Sequence, residues 1–248
     1  MRAHAIRAAA SSNSGSLPTA FDAYLNSLNP TYVFPFTFNG TSQPETVNSL
    51  SGTLSGGATP GQTGLITTVS GDKSVLFDGS SGQMLSDFSP YGYTPLIGDF
   101  TIGAVVNVAS GWTSESGIFS IANTNNLNSP ATIYLGTYNG QARLGMRVAN
   151  GGSWQSLLGP SIDDGQPHLV IYKRAGSALS CYMDGSLASS STVSGSQVVL
   201  DSSALILAAC FTNTGTATRL YLNGAIDYPF FKLGALSDAQ IQALGSKM

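Results

Sequence analysis

The chain has 248 residues, 9% of them charged, and a net charge of −3. That is long enough for one large all-β domain and far below the roughly 25% charge of an average soluble protein. Ten scattered Lys and Arg exclude the basic stripe of a nucleic-acid footprint and the polybasic cluster that seeks an anionic membrane, and no run approaches the ~18 apolar residues of a spanning helix.

Residues 1–17 are Ala-rich, positive and lack the apolar core of a secretory signal. They read as an arm, with a short helical turn over Arg2–Ala10. Phe21, Tyr24, Leu25 and Leu28 then recur at i, i+3, i+4, i+7, one apolar helix face within Leu17–Asn29, punctuated by Pro18 and Pro30. Residues 1–29 are thus an arm and helix leading into a domain that runs from 30 to 248.

Tyr32–Phe38 is an aromatic strand whose Pro35 predicts an edge or a bulge. Residues 39–64, rich in Gly, Ser and Thr, read as a long loop with one short strand at Gly52–Ser55. Further strands are predicted at Ser74–Phe77, Phe100–Val108, Gly117–Ala122, Ile133–Gly136 and Arg143–Val148, with Asn139-Gly140 a type I′ hairpin signal. Asp163–Gly185 is a hairpin of His168–Arg174 with Ala178–Met183, entered and left through Asp-Gly. Its first strand is apolar on both faces, Leu169 and Ile171 on one and Val170 and Tyr172 on the other, which places it mid-sheet with both faces covered. Val198–Leu200, Leu205–Phe211 and Arg219–Leu222 follow, then an Asn223-Gly224 turn and a last strand, Ala225–Leu233. Ser237–Leu244 closes as a helix, with Ser237 as N-cap and Gln240 in capping-box position.

About a dozen short, turn-punctuated strands with little helix predict an antiparallel two-sheet β-sandwich. Cys181 and Cys210 lie in apolar strand patterns. Buried free thiols are the expectation, and a disulfide between neighbouring strands is the alternative.

Three blocks carry a family pattern: SVLFDGSSGQML with GDFTIGAVVNV, then IDDGQPHLVIYKRAGSALSCYMDGSLASSSTVSG, then YLNGAIDYPFFKLGALSDAQIQAL. In this order they resemble the laminin-G-like (concanavalin A-like) jelly-roll domains of bacterial and viral proteins, over roughly residues 30–246. The resemblance implies two curved antiparallel sheets, with ligands at rim loops or on the concave face. It also implies recognition of sugars, proteins or cell surfaces, and in viruses service as head decorations, tail fibres or spikes. The chain departs from the pattern at Pro167, where relatives carry Trp, and at the end of the first strand, which lacks an acid. Some relatives hold a structural calcium. Asp78 and Asp227 stand at the matching positions, but the acids around them are too few for six to eight oxygen ligands, so no metal is expected.

Catalysis lacks its residues. Glycoside hydrolysis needs two carboxylates flanking the bond, and the chain has only Glu45 and Glu115 as glutamates, both in loop-like sequence. Asp163-Asp164 reads as a turn. His168 has no G-x-S-x-G elbow to serve and is expected as a hydrogen-bonded core residue. Zinc spacings and phosphate loops are missing. The remaining candidates are loop aromatics able to stack on a sugar: Trp154 first, then Trp112, Tyr138, Tyr91 and Tyr93. The commoner role of such rings is to cap the core or pack on a neighbouring subunit.

The sequence expectation is therefore a non-enzymatic virion protein, a phage head-decoration or tail-associated subunit present in many copies or as a homo-oligomer. Its arm would contact other virion proteins, and its sandwich would meet glycans or a host surface. No cofactor, nucleic acid or membrane is involved. The alternative is a secreted or cell-surface carbohydrate-binding module.

Overall fold

In the computed structural model of the chain, residues 20–47, 50–68, 71–87, 96–122, 133–147, 154–193, 198–199, 204–211 and 219–248 are described. Two eight-stranded antiparallel sheets face each other among them. The first runs, edge to edge, Ser186–Thr192, Ala178–Met183, Pro167–Ala175, Phe100–Val108, Asn223–Leu233, Lys73–Asp78 and Thr59–Thr63, with Tyr32–Val33 also paired to Asn223–Leu233. The second runs Trp154–Ser161, Gln141–Arg147, Ile133–Tyr138, Ser116–Ala122, Ala204–Leu207, Gln83–Asp87, Ser51–Ser55 and Ser42–Pro44. This is the all-β sandwich of a jelly roll, with two short helices, α1 (Ala20–Ser27) and α2 (Asp238–Gly245).

Alternation explains the layers. Ile102, Ala104, Val106, Val170 and Tyr172 of the first sheet meet Ile118, Ile121, Leu135, Leu144 and Leu205 of the second in one fully buried core. The opposite face of the first sheet carries Val105, Leu169, Ile171 and Phe230. These form a second apolar cluster with Phe21 and Leu25 of α1, Ile241 and Leu244 of α2, and Leu65 and Ile66. Strand Pro167–Ala175 is thus covered on both faces, and its outer cover is the pair of helices. Gly103 lies beneath Phe230 and Ile171, where an added Cβ would crowd both side chains. Burying such a double-sided strand is among the largest favourable terms, at roughly 25 cal/mol per Å² of apolar surface.

Helix α2 begins as its sequence dictates. The Ser237 side chain accepts from Gln240 N, and the Gln240 side chain accepts from Ser237 N at 2.8 Å. Such a cap contributes about 1 kcal/mol. Asn139 (φ 51°) and Gly140 (φ 76°) both take the left-handed conformation that a type I′ hairpin requires.

Four expectations are corrected. Tyr32–Phe38 is a strand only at Tyr32–Val33; Pro35 lacks an amide to donate, and Phe36 turns to φ 50°. The 39–64 stretch holds three strands, Ser42–Pro44, Ser51–Ser55 and Thr59–Thr63. Their largely polar side chains leave no clear apolar period, so backbone pairing at the sheet edges defines them. Leu205–Phe211 is two strands, broken at Ala208 (φ 59°); the chain leaves the second sheet there and forms a separate hairpin, Ala209–Phe211 with Arg219–Tyr221. Asn223-Gly224 is no turn but the start of Asn223–Leu233, where the absent Cβ of Gly224 lets the backbone of Asn107 and Val108 approach.

Cys181 is a buried free thiol, and the side chain of Cys210 lies outside the described residues. Residues 1–19, which include the whole of the expected arm at 1–17, lie outside the described residues.

A candidate recognition face on the second sheet

The Asn139-Gly140 hairpin builds the site. Its strands turn Ile133, Leu135, Ala142, Leu144 and Met146 into the core, so pairing across the hairpin puts Tyr134, Gly136, Tyr138, Gln141, Arg143 and Gly145 on the outward face. Gly145 lacks the Cβ that would collide with the Tyr134 ring, and at Gly136 a Cβ would run into the carbonyl oxygen of Ser116 on the neighbouring strand. The Tyr134 hydroxyl donates to Glu115 Oε1 at 3.1 Å, and Arg143 Nη1 reaches the same oxygen at 2.7 Å. The Arg143 guanidinium stands over two rings, 4.9 Å from the centre of Tyr138 and 5.7 Å from that of Tyr134. Cation–π contact of this kind adds about 0.5–1 kcal/mol at exposed sites and holds the guanidinium plane in place.

Tyr138 is 39% exposed, and Leu158, directly across from Arg143 on strand Trp154–Ser161, is 41% exposed. On the other flank, Tyr134 packs with Ile206, Ala209, Leu220 and Tyr221, so the hairpin at 209–211 and 219–221 lies on this face and borders it. The result is an open shelf of ring, guanidinium and aliphatic surface. It offers stacking and hydrogen bonds. The segment 133–147 contains neither Asp nor Glu; Glu115 is tied into its ion pair with Arg143, and the Asp163 carboxylate lies beside Gly140 at the hairpin turn.

The sequence candidates fall in different places. Tyr138 is on the shelf. Trp154 begins the adjoining edge strand, opposite Arg147, and its side chain lies outside the described residues, as do Tyr91 and Tyr93 entirely. Trp112 packs against the inter-sheet core, close to Gly79, with its indole N–H buried and unpartnered. Tyr134 and Arg143 were not singled out in the sequence, and Glu115 was weighed there only as a catalytic acid. Alternation from the Asn-Gly turn assigns the first two to one face with Tyr138, but nothing local ties Glu115 to them.

His168 is hydrogen bonded, but at the half-buried margin between turns and not in the core. Its Nδ1 meets Asp184 Oδ2 at 2.9 Å, and its Nε2 meets Asp164 Oδ2 at 3.1 Å. Asp184 Oδ1 also accepts from Leu169 N at 2.9 Å. Burial opposes protonation, but the hydrogen bonds and charges of Asp184 and Asp164 outweigh it and raise the His168 pKa. With both ring nitrogens held by carboxylates, His168 has none left to activate a nucleophile.

Asp78 and Asp227 do not fit a shared cation. Asp78 Oδ1 accepts from the amides of Ser80, Ser81 and Gly82 at 2.9–3.0 Å, and Oδ2 accepts from the Ser80 and Ser81 hydroxyls. The Ser80 hydroxyl and these amides hold its pKa far below the usual carboxylate value. Asp227 is fully buried and accepts from Leu65 N and Tyr228 N. Among the described residues no cluster of three or more His, Cys, Asp or Glu is arranged to hold a metal ion.

The family model described as Concanavalin A-like lectin/glucanases superfamily, Laminin_G_3, matches residues 77–242. No curated protein matches the chain. Among solved structures, the botulinum neurotoxin serotype D binding domain superposes with a TM-score of 0.64 at 12% identity, over 88% of this chain and 50% of that one. The binding domain of Paraclostridial Mosquitocidal Protein 1 gives 0.64 at 10% identity, over 86% and 51%. The serotype G binding domain gives 0.62 at 10%, over 88% and 51%. At these identities the likeness is one of fold, and the chain spans about half the length of each.

Proposed function

The chain belongs to the concanavalin A-like lectin/glucanases superfamily, and we propose that it is a non-enzymatic recognition domain that takes a glycan on the outward face of its second sheet. The observation that carries this reading is Tyr138, exposed beside an Arg143 that is fixed by Glu115 and by two rings. A flat ring accepts the C–H face of a sugar, and the guanidinium beside it donates to hydroxyls. Because Glu115 already neutralises Arg143, the shelf suits an uncharged sugar. Similar folds serve as the receptor binding domain of a botulinum neurotoxin, which supports a binding role without naming a ligand for this chain.

Binding on a glycan array tests the reading. Tyr138→Ala is expected to weaken binding about tenfold, or roughly 1.4 kcal/mol, while leaving the melting temperature near that of wild type. Equal binding by both proteins, or none by either, overturns it.

For the setting, we propose a phage particle, with the domain as a head-decoration or tail-associated subunit that contacts other virion proteins through residues preceding α1. The low-charge Ser/Thr/Asn surface and the Ala-rich segment 1–17 support this. A secreted or cell-surface carbohydrate-binding module would use the same shelf.

A further inference from the structure

We infer that the Arg143–Glu115 pair reads two adjacent hydroxyls of one sugar ring, so that the ligand class is a neutral glycan with a free vicinal diol. The inference rests on the glycan reading of the shelf. Arg143 stands opposite Gly136, and Gly136 stands opposite Gly117 on the next strand, two residues beyond Glu115. With no side chain at either glycine, the guanidinium crosses the sheet to reach Glu115. Arginine and carboxylate commonly meet through two parallel hydrogen bonds. Here they meet through one, Nη1 to Oε1 at 2.7 Å, and the hydroxyl of the buried Tyr134 donates to that same oxygen at 3.1 Å. Both donors converge on Oε1. Glu115 Oε2 and the other guanidinium N–H groups therefore have no hydrogen-bond partner among the described residues. The two side chains are 25% and 34% exposed, so a fixed donor and a fixed acceptor stand side by side at the surface.

Two adjacent pyranose hydroxyls complement that arrangement. Each hydroxyl both donates and accepts, and a gauche pair holds its two oxygens next to each other. One hydroxyl donates to Glu115 Oε2, and its neighbour accepts from an Arg143 N–H. Both bonds are charge-assisted and so stronger than neutral ones, yet the ligand needs no charge of its own. A ligand carboxylate would meet only the arginine, and a ligand ammonium only the glutamate. The Tyr138 ring, centred 4.9 Å from the guanidinium, carries the C–H face of the same sugar and brings its hydroxyl edge to the pair. A sugar with a single hydroxyl at this place satisfies half of the pair and strips water from the other half, which is the costly case for a charged group. The pair thus selects, among neutral glycans, those whose adjacent hydroxyls are not consumed by linkages. Glu115 is the specificity-determining residue, because it supplies the only acceptor of the two.

Competition against the array glycans with simple glycosides tests this. The probes are methyl α-glucopyranoside, methyl α-galactopyranoside and methyl α-mannopyranoside, each with its 3-deoxy and 6-deoxy analogues. The 3-hydroxyl belongs to both adjacent pairs of these rings, so the 3-deoxy analogue keeps the ring but has no vicinal diol, whereas the 6-deoxy analogue keeps both. At least one parent glycoside is expected to compete, its 6-deoxy analogue equally, and its 3-deoxy analogue about tenfold more weakly. In Glu115→Ala the gap between parent and 3-deoxy analogue is expected to close. Equal competition by the 3-deoxy analogue, with binding still weakened by Tyr138→Ala, would overturn the diol and leave the recognition shelf standing. So would array binding that no parent glycoside inhibits. A gap that persists in Glu115→Ala would assign the selection to another group and overturn the role of the pair. Absence of binding to every array glycan would overturn the shelf itself.

Discussion

His168 joins two Asp-Gly turns, Asp164-Gly165 and Asp184-Gly185, through one ring. Its pKa is raised, so its contribution to stability is fully present below the unfolded value near 6.5 and is lost as pH rises through the higher folded value. Wild type should therefore melt above His168→Gln near pH 6, and the gap should close toward pH 8. A gap that stays constant with pH would show that His168 acts by packing alone. The types of these residues were legible in the sequence, but their partners were not. The Arg143–Glu115 pair spans 28 residues and crosses from a loop to a strand two positions away in the sheet. Alternation gives the face on which a side chain stands, never the neighbour it meets. For the same reason Trp112, which follows a Gly as an exposed loop residue would, packs instead on the end of the core.

Among the elements, those with an apolar period were legible: Phe100–Val108, Pro167–Ala175, the face of α1 and the capping box of α2. Ser186–Thr192, nearly all exposed, and Thr59–Thr63 were not, because an edge strand held by its backbone need show no period-two pattern. The break at Ala208 was hidden for the opposite reason. An unbroken apolar run looks the same whether it stays in one sheet or leaves it for a hairpin. Helix α1 belongs to the fold through Phe21 and Leu25, whereas residues 1–19 precede it. Removing 1–19 should thus leave a cooperatively folded domain with an unchanged melting temperature but abolish its incorporation into particles. Normal incorporation of the truncated chain would contradict the proposed virion role of that segment.

The sandwich has two outward faces with different covers. On the first sheet, α1, α2 and residues 65–66 bury an apolar cluster that includes Val105, Leu169, Ile171 and Phe230, and Asp227 and Asp72 accept from the amides of Leu65 and Ile66. On the second, the hairpin at 209–211 and 219–221 covers one part and leaves Tyr138, Arg143 and Leu158 accessible. One face is committed to the element that leads in from the N-terminal segment, and the other stays available to a ligand. Both follow from which residues alternate outward on each sheet: mainly large aliphatics on the first, and glycines, tyrosines and an arginine on the second. Amide chemical shifts recorded while a glycan identified on the array is titrated in, with the glycan analysed afterwards, put this division to the test. The perturbed amides should lie on strands Ile133–Tyr138 and Gln141–Arg147, and the glycan should be recovered uncleaved. Perturbations confined to α1, α2 and the first sheet, or a cleaved glycan, would contradict the account.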